Sequence, residues 1–364
     1  MDKRGEDWLP IAQGYFQESV APLADEIDRE PAALQTALTG LANLGLMGLR
    51  IPERWGGRGA NEVAFFNFQE LAARASGALA FLQTQHQSAA AMLVKSENTD
   101  LKKAYLPRIT QGEVFLGIGF SHLRRTGDPL VKAIPVTGGY ELIGQVPWVT
   151  GWGFFQEFIV AAVLPDRQVI FGLVPLAAKM DAIAFTSPMV LAAMTSTNTV
   201  TATLKSWFLP SEKVVFIQSA DWIQENDRQN LLRPTAFPLG CAGAGLDLIK
   251  STAVNKPLTF ILAALAALEQ ELNQCRTAIL AAQQHPQTSL TLKLELRAWA
   301  IELAARCAHT AIAVASGAAN YAHHPAQRVY REALAFTVTG QNTVVMEATL
   351  ARLIRSGVGQ AQTN

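Results

Sequence analysis

Short runs of β-branched and aromatic residues are confined to one middle stretch of this chain, and on both sides of it the apolar residues follow the period of a helix. From Asp7 to about Arg108 the spacing is helical, as in Ala33, Leu34, Ala37, Leu38, Leu41 and Leu44, and this part reads as a bundle. The pattern changes near Gly112. Residues 114–118, 140–143, 158–164, 169–174 and 199–208 read as strands separated by Gly-Gly, Pro-Asp and Pro-Ser punctuation. Beyond Asp221 the helical period returns through Arg355, with small faces such as Ala263, Ala264, Ala266 and Ala267 that favour close helix packing. The expectation is a helical domain over residues 1–112, a β domain over 113–223 and a second helical domain over 224–364. A cleft where three such units meet is the usual place for a cofactor.

A chain of 364 residues exceeds the roughly 250–300 at which one core stops growing, which agrees with several domains. Hydrophobic residues make up 49% and charged residues 16%, enough for a large core and some subunit contact. Lys plus Arg equals Asp plus Glu, so no net field draws in nucleic acid or anionic membrane. Cys241, Cys275 and Cys307 lie far apart and are odd in number, which implies neither disulfides nor a zinc site and suits reducing cytoplasm. The opening MDKRGEDWLP is too polar for a signal peptide. Leu258 to Leu268 is about half the roughly 20 residues a spanning helix needs, so no membrane segment is expected.

Five segments, in order, carry a resemblance. They are LANLGLMGLRIPERWGGRGA at 41–60, YLPRITQGEVFLGIGFS at 105–121, GQVPWVTG at 144–151, SWFLPSEKVV at 206–215 and HHPAQRVYREALAF at 323–336. Together the chain resembles the acyl-CoA dehydrogenase family. That resemblance implies an α+β fold of N-terminal helical bundle, middle β-barrel or sandwich and C-terminal helical bundle. It also implies a flavin, FAD with FMN as the alternative, an acyl thioester substrate and a homodimer or homotetramer. The second segment corresponds to the entry into the β domain, and the third to the strand that contacts the flavin.

The implied cofactor contacts are Phe120, Ser121, Gly127, Trp148 and Thr150. An isoalloxazine needs a flat apolar wall and hydrogen-bonding groups along its polar edges. Trp148 and Thr150 offer one of each, and residues two apart on a strand share a face. The plainer reading is Trp148 in the core and Thr150 as strand filler. Ser121 stands where the family's Thr-Glu-Pro loop begins and Asp128 where an aspartate is usual, but His122 and Leu123 replace Glu-Pro, and Gly127 replaces a serine. A glycine amide still suits a phosphate. The family's Arg-x-x-Phe-Gly segment has only NKPLTF at 255–260, where Lys256 is a substitute charge or a solvated lysine, and SGAANY at 316–321 is a loose version of the turn near the adenosine. The glycines of 240–245 lack the strand and spacing of a dinucleotide loop and read as helix-contact residues.

Removing an α-proton calls for a carboxylate in a dry site. At the family's usual position this chain has Gln341, or Gly340 with a shift of one, and residues 230–234 offer no acid at the other family position. Glu332 and Glu347 read as solvated helix carboxylates, and Asp247 as structural. His86 is a candidate catalytic residue or a satisfied core histidine; His122 follows Ser121, and His323 and His324 read as surface residues. Three readings stay open: a dehydrogenase-type flavin oxidoreductase, a flavin monooxygenase of the same fold motivated by Gln341 and His86, and a non-catalytic acyl or flavin binder.

Overall fold

A computed structural model of the chain describes residues 7–285 and 287–355; most of the polar opening stretch and the last nine residues lie outside them. Two compact units emerge, Met1–Ala72 with Ala78–Asn226, and Ala73–Gly77 with Asp227–Asn364.

The first unit begins with helices α1 (Trp8–Tyr15), α2 (Ala24–Arg29), α3 (Pro31–Asn43), α4 (Glu62–Ala75), α5 (Gly77–Lys95) and α6 (Thr99–Thr110). Pro31 opens α3, where its missing N–H costs nothing, and Leu34, Ala37, Leu38 and Leu41 are buried as their spacing predicts. Asn98 caps α6 by accepting the Leu101 N–H at 3.0 Å. Strands β1 (Leu116–Gly119), β2 (Val131–Val136), β3 (Gly139–Val149), β4 (Glu157–Val163), β5 (Val169–Pro175), β6 (Ile183–Phe185), β7 (Val200–Pro210) and β8 (Val214–Gln218) follow. They join in the order β6-β7-β3-β2-β4-β5-β8, with β1 parallel to β4.

The sheet folds over on itself. A Cβ added at Gly172 in β5 would lie 2.3 Å from Leu209 in β7, although the two strands are not neighbours in the pairing order. Met92, Leu93, Leu101, Leu106 and Ile109 of α5 and α6 are buried against Leu116, Ile159, Phe171, Leu173 and Val215 of the strands in one core. Each such side chain contributes about 1.5–3 kcal/mol by leaving water. The strand-like runs coincide with β1, β3, β4, β5 and β7. The sequence reading did not anticipate β2, whose apolar residues are interrupted by Lys132 and Pro135, the three-residue β6, or β8.

The second unit holds α8 (Ala236–Asn255), α9 (Thr259–Gln284), α10 (Leu290–Ala315), α11 (Pro325–Val338) and α12 (Thr343–Arg355), and α7 (Trp222–Gln229) runs across the boundary. Gly245 of α8 would place a Cβ 2.9 Å from the Cys307 backbone of α10, so the glycine run at 240–245 serves close helix contact. Asp247 takes two hydrogen bonds from Arg74, at 2.7 and 2.5 Å. The expectation for Glu332 is corrected. It is fully buried, holds the Arg328 guanidinium at 2.9 Å and accepts the Gly77 N–H at 3.0 Å, where a carboxylate favours the start of a helix. Glu347 is exposed, as read.

Replacing Glu332 by alanine removes the buried carboxylate that Arg328 and the Gly77 amide share, and urea unfolding is expected to show a loss of about 3–5 kcal/mol. Glu347→Ala should stay within about 0.5 kcal/mol of the parent in the same assay.

Candidate functional site

After α6 the chain enters β1, whose first residue is hydrogen-bonded to α5. His86 of α5 is fully buried, and its Nδ1 accepts the Leu116 N–H at 3.0 Å. Burial, ahead of its backbone hydrogen bonds, pulls the ring down from 6.5 to about 3, so it stays neutral. Phe115 and Phe155 flank it at 5.3 and 6.3 Å. Of the two readings, the geometry supports a core histidine; nothing brings it to a surface where a substrate would meet it.

From Leu116 the chain runs through β1 to Phe120. Gly119 lies so close to Val146 of β3 that a Cβ would approach it to 2.9 Å. Phe120 turns its ring into the core, edge-on to Phe171 and Trp222 at 5.9 and 5.7 Å, which leaves its backbone as the part able to serve a ligand. Ser121 opens a single 3-10 turn, Ser121–Arg124, that packs beside β3 with the serine exposed. His122 is buried within this turn, bonded through Nε2 to the Ala161 carbonyl at 3.1 Å, and burial lowers it to about 4. Gly127 has φ +101°, with open space where a Cβ would stand, and its surroundings are exposed.

The register of β3 with β7 slips between Val146 and Val149, which pair with Ala202 and Val200. Pro147 and Trp148 therefore share the place opposite Thr201, whose hydroxyl bonds the Pro147 carbonyl at 2.9 Å. The bulge breaks the simple alternation. Trp148 is 48% exposed, whereas Thr150 is 6% exposed, with its hydroxyl bonded to that of Thr199 at 3.0 Å. The expectation that the two share a face is corrected accordingly. Gly151 follows at φ +100°, where a Cβ would run into Phe155 at 2.3 Å.

Gln341 belongs to the second unit. It lies half-buried in the turn between α11 and α12, and Gly340 before it has φ +62°. Arg297 of α10 holds this turn, donating to the Thr339 and Gly340 carbonyls at 2.7 and 2.9 Å and to the Leu231 carbonyl at 3.0 Å. The sequence reading missed Arg297, although an arginine within the apolar face of ELRAWAIELAA was the signal. It missed Thr199 as well, which nothing in the sequence tied to Thr150.

The residues of the first unit fit a flavin in wall and polar edge. An exposed indole offers the flat apolar face, and the exposed Ser121 hydroxyl and Gly127 amide offer the polar contacts. Thr150 adds a donor only through the proton not spent on Thr199.

Comparisons with known proteins bear on the domain and the fold. Residues 7–113 match the acyl-CoA dehydrogenase N-terminal domain. The mitochondrial isovaleryl-CoA dehydrogenase of Solanum tuberosum is 30% identical over 158 residues, 42% of this chain and 38% of that protein. The matched segment thus spans less than two-fifths of that relative. A Bacillus subtilis protein described as a probable acyl-CoA dehydrogenase is 20% identical over 365 residues, covering 94% of this chain and 95% of its own. In structure, butyryl-CoA dehydrogenase from Megasphaera elsdenii superposes with a TM-score of 0.82 at 16% identity, over 98% of this chain and 99% of that one. Glutaryl-CoA dehydrogenase from Mycobacterium smegmatis gives 0.81 at 15% identity, over 100% and 97%. This chain is an acyl-CoA dehydrogenase-like protein, with N-terminal helices, a central sheet and a C-terminal helical bundle.

The histidine environments carry a pH dependence with a definite sign. His86 has a folded value near 3 against 6.5 when free, so the folded state binds fewer protons and its advantage is complete above pH 6.5. That stability is lost as pH falls from 6.5 toward 3, at up to about 1.4 kcal/mol per pH unit. Urea unfolding between pH 7 and 4 should show this slope, and His86→Gln should make it shallower. Equal slopes in parent and variant would mean the ring is not held neutral.

Proposed function

We propose that this chain is a flavin-dependent oxidoreductase acting on the CH–CH bond of an acyl thioester, with FAD as cofactor and an acyl-CoA as substrate class. What carries the reading is an exposed Trp148 on β3, the strand against which the Ser121 turn packs, inside a fold shared over nearly its whole length with solved acyl-CoA dehydrogenases. When bound, the flavin would supply a hydride acceptor for the β-carbon. Trp148 would support one face of its ring system and exclude water there. Ser121 and the Gly127 amide would hold its polar edge and phosphate.

Gln341 takes the family's base position by resemblance. A carboxamide there donates and accepts hydrogen bonds and so orients a thioester carbonyl, but it cannot take up the α-proton. The proposal therefore includes slow loss of the α-proton in the chain as it stands, to water or a buffer base rather than to the side chain at 341. A second reading, a binder of flavin and acyl thioester without turnover, is favoured by Gln341 alone. The monooxygenase reading leaned on Gln341 and His86, and the burial of His86 and its bond to Leu116 withdraw the second of these supports.

The three-domain division at residues 112/113 and 223/224, a cytoplasmic setting and assembly into a homodimer or homotetramer belong to the same proposal. No helix among the described residues is long and apolar enough to cross a membrane. Val254 and Phe260 at the α8–α9 turn are 78% and 68% exposed, and a second copy of the chain is proposed to cover them. Light scattering on the purified protein should return a mass of two or four chains.

Anaerobic mixing with acyl-CoAs from short to long chain tests the reaction. Slow bleaching of the flavin band is expected for the parent chain. Gln341→Glu, which supplies a carboxylate, should speed it by about 10²-fold or more. No bleaching in either protein across all chain lengths would remove the oxidoreductase reading and leave the binder. Trp148→Ala should weaken flavin binding about tenfold, read by flavin fluorescence on reconstitution.

A further inference from the structure

One face of α5 buries three polar side chains, Gln83, His86 and Gln87, each without exposure to solvent. Their spacing of three and four residues keeps them within one helical turn of each other. In each, one atom has a fixed partner. Gln83 donates through Nε2 to the Gln69 side chain and to the Ala80 carbonyl at 2.9 Å, Gln87 donates through Nε2 to the Leu46 carbonyl at 2.7 Å, and His86 accepts from Leu116 through Nδ1. The other atom of each, Gln83 Oε1, His86 Nε2 and Gln87 Oε1, is buried and has no hydrogen-bond partner among the described residues.

The fixed bonds decide the chemistry of the three remaining atoms. Turning either amide over would set oxygen against a carbonyl oxygen, so in both amides Oε1 is the atom left as an unpaired acceptor. With Nδ1 accepting from a backbone amide and the ring neutral, the proton sits on Nε2, which is a donor. The 46–47 segment links two of them, since Gln87 bonds Leu46 while the His86 ring lies against the Met47 backbone short of good bonding geometry at Nε2. Two acceptors and one donor, with no formal charge, call for a ligand with two protons to give and a lone pair to receive. A metal ion would face the Nε2 proton, and an ammonium has no lone pair.

We propose that α5 holds a single structural water at this point, donating to Gln83 Oε1 and Gln87 Oε1 and accepting from His86 Nε2–H. Buried waters of globular proteins make about three such bonds to otherwise unpaired groups. Its role is positional: it fixes the imidazole whose other nitrogen sets the start of β1, and hence the strand that leads to Ser121. The inference does not rest on the flavin reading and stands if no flavin binds.

A crystal structure of the parent chain at about 1.8 Å or better tests it directly. One isolated density peak within hydrogen-bonding reach of at least two of the three atoms is the expected result. A dry site, or side chains turned to bond one another, overturns the proposal, as does a segment of the chain itself filling the position. In solution, water oxygen-17 relaxation dispersion should count one fewer long-lived water in Gln87→Met than in the parent. An unchanged count in a folded variant also overturns it, and if the variant does not fold, the parent crystal alone decides.

Discussion

Everything at the candidate site depends on α5 lying hard against β1. Ala89, Ala90, Met92 and Leu93 of α5 share one apolar core with Leu116 of β1, and such packing is non-directional. One directional bond, from the Leu116 amide to His86, converts it into a fixed register. A buried amide without a partner costs about 1–3 kcal/mol, so a slip of β1 by one residue is penalised both by that loss and by moving Leu116 off the core face. The turn at Ser121 therefore has a defined place, and so does its contact with β3.

The exposed tryptophan follows from a second local constraint. A regular β3 would have continued its alternation past Val146, and the slip against β7 gives Pro147 and Trp148 one position between them. Pro147 has no N–H to offer the ladder, which makes this an inexpensive point for a bulge. The result is an indole turned to solvent at the end of a strand whose next residues, Val149 and Thr150, are buried. A large aromatic in that setting has surface to give to a ring and little else to bind, whereas Thr150 is already engaged with Thr199.

Much of the architecture was legible because two periods, near 3.6 and 2, mark helices and strands independently of what they pack against. Leu34, Leu38 and Leu41 announced α3, and the β-branched runs announced β4 and β5. What stayed hidden depends on contacts between residues distant in sequence. Glu332 reads as a surface acid until Arg328 and the Gly77 amide, 255 positions away, are seen to enclose it. The bulge at Trp148 was invisible because register is a property of two strands, and the sequence of one cannot announce a slip against the other. Likewise the Thr150–Thr199 bond joins residues whose types alone say nothing of each other.

In the proposed reading, Gln341 is where shared architecture and shared chemistry part company. The turn that carries it is held by Arg297, which bonds the carbonyls of Thr339 and Gly340, and Gly340 takes a left-handed φ of +62° that glycine adopts without strain. None of these contacts involves the side chain at 341. A glutamate and a glutamine differ there by one protonatable oxygen, and the guanidinium, the glycine and the flanking helices impose the same backbone on either. The fold is thus blind to the group on which proton abstraction turns. Likeness over nearly the whole chain speaks for the backbone architecture, and in the proposed reading the chemistry is decided by a side chain that leaves that architecture unchanged.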